Sequence, residues 1–171
     1  MTTRVIAIGQ PFAGDDGVAF AVLDALGPPP PGVELLRVRD ASALIPLLED
    51  ADRVVVVDAM VGGAPGDVRL LDLDDLEASG MTDLSSHGLG VVAALRLARR
   101  LGANADLRFV AVSIEPPTTL GEHLSDEARA AVPMAARTIV DLLASPTRLR
   151  RPMGVVGAGV TGGATTQGAD P

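Results

Sequence analysis

The run RVVVVDAM, Arg53 to Met60, decides how the rest of the chain is read. Four consecutive valines show no alternation of apolar and polar positions. That is the pattern of a central strand covered on both faces. Working outward, RVIAIG (Arg4 to Gly9) predicts a short buried strand closed by a glycine, and VELLRV (Val33 to Val38) a second one. Between them Val18 to Leu26 carries apolar residues at helical spacing and stops at Gly27 and a run of four prolines. Ser42 to Leu48 predicts a short helix.

Downstream of the valine run, the glycine-rich turn GGAPG leads into DVRLLDL (Asp67 to Leu73), read as a strand. HGLGVVAALRLARRLG (His87 to Gly102) predicts a helix with a glycine stop and arginines in its last turn, where the helix dipole favours them. LRFVAVSI (Leu107 to Ile114) predicts another strand. Ser125 to Ala144 opens on a serine and two acids and reads as a helix, with a kink expected at Pro133. Strands alternate with helices, which predicts a single α/β domain over residues 1–144, three layers deep, around a mainly parallel sheet. From Ser145 to Pro171 the chain is rich in Gly, Thr and Ala without a period and reads as a flexible low-complexity tail. Its Arg148, Arg150 and Arg151 read as a solvated run.

Composition narrows the function. A chain of 171 residues with 47% hydrophobic residues supports one core, and with no Trp or Tyr that core is built from Val, Leu, Ile and Ala. All 14 basic residues are Arg, so Schiff-base lysine chemistry and lysine-based phosphate grips are excluded. A formal charge of -8 argues against a nucleic-acid partner, which needs a basic face. Without Cys, any metal is held by oxygen and nitrogen ligands. No apolar run has membrane length, and the expectation is a cytoplasmic protein with no membrane partner.

In open α/β sheets, ligands gather at the carboxyl ends of the strands. Three polar groups fall at or beside such ends. Asp16 lies in GQPFAGDDG (Gly9 to Gly17), between the first strand and the first helix. Asp58 closes the valine run, and His87 opens the long helix. Each has a plain structural reading as well. Asp15 or Asp16 would stabilise a helix start through the dipole, and His87 could bond its own loop. Asp58 at the edge of a dry core needs a partner. Taken together, two carboxylates and a neutral imidazole form a candidate three-ligand site with open positions. Such a set suits nickel or zinc and could activate water for hydrolysis. Other motifs are missing: the loop is not GxGxxG, and GxxxxGK[ST], GxSxG and HExxH do not occur.

At these residues the sequence resembles the nickel–iron hydrogenase maturation endopeptidases. GQPFAGDDG is similar to that family's strand-to-helix loop, VVVVDAM to its D-A strand end and GGAPG to its G-x-x-P-G turn. SSHG and SIEPP with a later LS complete the series, so the resemblance runs from Val5 to about Leu143. It implies an α/β/α sandwich with one antiparallel strand. The implied activity is an endopeptidase that removes the C-terminal extension of a hydrogenase large-subunit precursor after nickel insertion. The family's metal-contacting positions correspond to Asp16, Asp58 and His87, and Asp40 and Gln10 would contact substrate. Nickel is the implied cofactor, with zinc or another divalent metal able to substitute. The ion is either bound by the protease or carried in by the precursor. Two departures stand out: Gln10 replaces the usual Asn, and Asp40 to Ala43 read DASA where the family has D-G-G-T. The alternative is a nickel-sensing or binding module on the same fold that docks on the large subunit without cutting it.

Overall fold

The computed structural model describes residues 1–83, 89–116, 121 and 123–145. Its centre is the valine run. Strand β3 (Arg53–Val61) has Val54, Val55, Val56 and Val57 wholly buried. It pairs in parallel with β1 (Thr3–Ile8) on one side and with β6 (Asp106–Ile114) on the other. Strand β2 (Val33–Val38) extends the sheet in parallel beyond β1. Strand β4 (Val68–Leu71) closes the other edge, antiparallel to β6. The strand order is β2-β1-β3-β6-β4, and the two-residue β5 (Thr82–Asp83) pairs antiparallel with the end of β3.

Helices cover both faces, which is why β3 shows no polar alternation. On one face Ile6, Val54, Val56 and Phe109 pack under α2 (Leu44–Glu49), α3 (Leu73–Ala78) and α4 (Val91–Arg100). On the other, Val5, Val55, Val57 and Val110 pack under α1 (Val18–Leu26) and α5 (Asp126–Ala144). The buried Arg53 donates to the carbonyls of Leu142 and Ser145, both at 2.9 Å, and so ties the C-terminus of α5 to the start of β3. Helix α5 runs through Pro133 as one element. The proline is exposed, so the carbonyl it deprives of a partner faces water.

Three expectations need correction. Asp67 to Leu73 is not one strand: β4 ends at Leu71, and Asp72 caps α3 by accepting the Asp75 N–H at 2.9 Å. Asx capping stopped the strand where hydrophobicity alone would have continued it. The long helix begins at Val91, with extended Gly90 as its cap, rather than at His87. Two glycines, Gly88 and Gly90, weaken helix propagation there. Asp58 does not end its strand, which continues to Val61. The tail from residue 146 lies outside the described residues.

Candidate active site at the switch point

From β1 the chain turns outward through α1 to β2, then returns across β1 to start β3. The order therefore reverses between β1 and β3, and in open α/β sheets the carboxyl ends at such a reversal are where ligands bind. Asp16 lies in the loop that follows β1, and Asp58 lies within β3.

Asp16 sits in a single 3-10 turn, Gly14–Gly17, directly ahead of α1. The turn folds back tightly on the end of β1. A Cβ at Gly9 would lie 2.1 Å from the Asp16 carbonyl oxygen, so only glycine permits this approach. Burial raises the Asp16 pKa, and the Gln10 backbone N–H bonding its carboxylate opposes that rise. Asp58 is 3% exposed. Both carboxyl groups are withdrawn from water, partly at Asp16 and almost wholly at Asp58, a setting typical of groups with a chemical task.

The second acid of the loop serves differently. The Asp15 carboxylate accepts the backbone N–H of Ser125, the N-cap of α5, at 2.6 Å. Gly14 donates to the Gly121 carbonyl at 2.6 Å nearby. These two bonds fasten the loop to a segment more than 100 residues downstream. Sequence periodicity carries no sign of that pairing.

The substrate-side candidates lie over the next strand. Gln10 Nε2 donates to the Arg39 carbonyl at 3.0 Å, joining the carboxyl ends of β1 and β2. Asp40 is exposed and accepts the Ser42 backbone N–H at 2.7 Å. Hydrogen bonding to Ser42, chiefly through its side chain, lowers the Asp40 pKa and keeps it ionised. DASA therefore forms a capped 3-10 turn, Ala41–Ala43, that requires no glycine at positive φ. His87 lies outside the described residues. Among the described residues no group of three His, Asp or Glu side chains is placed to hold a metal.

A family model described as hydrogenase maturation protease matches residues 39–142. Protein FrxA of Pyrococcus furiosus is 32% identical over 134 residues, covering 76% of this chain and 96% of that protein. The maturation protease HybD from Thermococcus kodakarensis is similar in structure, with TM-score 0.68 and 25% identity over 85% of this chain and all of that one. The hydrogenase maturating endopeptidase HybD from E. coli superimposes with TM-score 0.73 over 84% of this chain and 93% of its own. At 24% identity the E. coli likeness speaks to the fold.

Proposed function

Because this chain belongs to the hydrogenase maturation protease family, we propose that it cleaves the C-terminal extension from a hydrogenase large-subunit precursor using Asp16, Asp58 and His87. The observation that supports the residue assignment is that a partly buried Asp16 with a raised pKa and a buried Asp58 belong to the two segments that meet at the switch point.

The donor set is chemically suited to a divalent cation. Two carboxylates supply hard oxygen ligands, an imidazole supplies nitrogen, and a cation would offset the cost of holding Asp16 ionised where burial opposes it. When bound, nickel would polarise a carbonyl or lower the pKa of bound water. The chain's own residues do the rest. Burial holds the Asp16 carboxyl above the ordinary carboxylate range, which suits it to give or take a proton during the cut. The Gln10 and Arg39 contact sets the spacing of the two loops across which the extension passes, and ionised Asp40 contacts the precursor beside them.

Selectivity follows if nickel arrives with the precursor, since the residues alone would then attack no other chain. The test compares nickel-loaded and nickel-free precursor by mass spectrometry. The expected result is loss of the extension from the loaded form only. Asp16→Asn, Asp58→Asn and His87→Ala should each abolish the cut, and full activity in all three would falsify the assignment. Calorimetric titration of nickel into the protease alone separates an ion of its own from one supplied by substrate. An intact precursor held in a stable complex would identify the non-cleaving binding module instead.

A further inference from the structure

On the face of the sheet that carries Asp58 there is a second polar position. Asp58 pairs in register with Ala111 of β6, and Ala111 pairs in register with Arg69 of β4. In-register side chains share a face, so Arg69 and Asp58 project to the same side about 10 Å apart at their Cα atoms. Ser113 is two residues farther along β6, on that same face and nearer the carboxyl edge.

Both side chains close on one point. A Cβ added to Gly63 would lie 2.8 Å from Arg69 Nη2 and 3.1 Å from Ser113 Oγ. Gly63 belongs to the GGAPG turn and has φ of +82°, so conformation and space both call for glycine. Ser113 is held from both sides: its carbonyl accepts the Gly66 N–H and its own N–H donates to the Asp67 carbonyl, both at 2.8 Å. Yet the Ser113 hydroxyl is wholly buried and has no hydrogen-bond partner among the described residues. The side chain of half-buried Arg69 likewise has no ion pair or hydrogen bond among them, although Asp67 and Glu115 are close in sequence to this edge. Buried polar groups are almost always satisfied, and a cationic fork beside an idle hydroxyl in a chain of charge -8 is a donor set awaiting an acceptor. The planar guanidinium matches a carboxylate.

We propose that Arg69 and Ser113, set against Gly63, form a binding position for a carboxylate of the substrate's C-terminal extension, beside Asp58 and on its face of the sheet. The inference rests on the endopeptidase reading and names how this chain recognises its precursor. The carboxylate belongs to an acidic side chain of the extension or to its chain terminus.

The test measures cleavage of nickel-loaded precursor in three forms: native, with every Asp and Glu of the extension changed to Asn or Gln, and with two glycines appended to displace the terminal carboxylate. Arg69→Gln should lower kcat/KM on the native form roughly ten- to a hundredfold, mainly through KM. Arg69→Lys should recover part of that loss, and Ser113→Ala should show a smaller one. On whichever altered precursor lacks the recognised carboxylate, Arg69→Gln should make no further difference, and that identifies the source. An unchanged kcat/KM for Arg69→Gln, or an equal loss on all three precursors, overturns the proposal. If Arg69→Gln does not fold, Arg69→Lys and Ser113→Ala decide by the same comparison. Cleavage of nothing by the unaltered protein overturns the endopeptidase reading and this inference together, whereas normal cleavage by all three variants overturns the inference alone.

Discussion

Gly9→Ala is the most informative single change, because its consequence follows from one distance. The added Cβ would stand 2.1 Å from the Asp16 carbonyl oxygen, against a floor of 3.0 Å for real Cβ contacts, so the backbone must give by about 0.9 Å. The obstacle is main chain rather than a side chain that could rotate away. Nor can the loop yield freely, since Gly14 and Asp15 are bonded to Gly121 and Ser125. Overpacking of this kind costs about 1 to 3 kcal/mol. A displacement near 1 Å at a catalytic group costs roughly a hundredfold in rate. Urea denaturation reads the first effect, and single-turnover cleavage of nickel-loaded precursor reads the second. Gly27→Ala is the control. Gly27 also has positive φ, at 69° with ψ of -158°, but no atom within 4 Å of the added carbon, so stability should fall about 1 to 3 kcal/mol with cleavage unaffected. Wild-type cleavage by Gly9→Ala would show that the loop does not close on β1 as described, and the placement of Asp16 would fall with it.

Three further outcomes are expected. Burial raises the pKa of Asp16, so the folded state favours its protonated form; the associated stability is present at low pH and is lost as pH rises through the raised value. In metal-free protein, Asp16→Asn should therefore melt higher than wild type at neutral pH, with the gap closing below the ordinary carboxylate range, and a lower melting point at pH 7 would contradict this. Asp15→Ala removes the 2.6 Å bond to the Ser125 N–H and should cost about 1 to 2 kcal/mol in urea denaturation, against no change if the contact is incidental. Arg53→Gln deletes two bonds to the end of α5 and leaves Asp106 with Arg108 alone as a cationic partner among the described residues; a loss of about 3 kcal/mol is expected, with hydrogen exchange rising first in the last turn of α5.

Much of the architecture was legible in local chemistry. The uninterrupted valine run marked a strand with helices on both sides, and β2 and α1 have the boundaries that their periodicity and glycine stop predicted. These features are local because they depend on which face of a short segment is apolar. Legibility failed where a competing local contact won, as at Asp72, whose side chain ends β4 and starts α3. It failed again at Gly90, which delays α4 past His87.

For the site, residue types and spacing were enough to nominate Asp16, Asp58 and His87 as chemically capable groups, and the family resemblance added Asp40 and Gln10. Only the tertiary structure showed what Asp15 does, because its partner lies 110 residues away in sequence. Register alone brought Arg69 and Ser113 onto the face of Asp58, since strand pairing is set by long-range backbone hydrogen bonds that no periodicity within a single strand encodes. What a residue is can be read along the chain, but what it faces is decided by the fold.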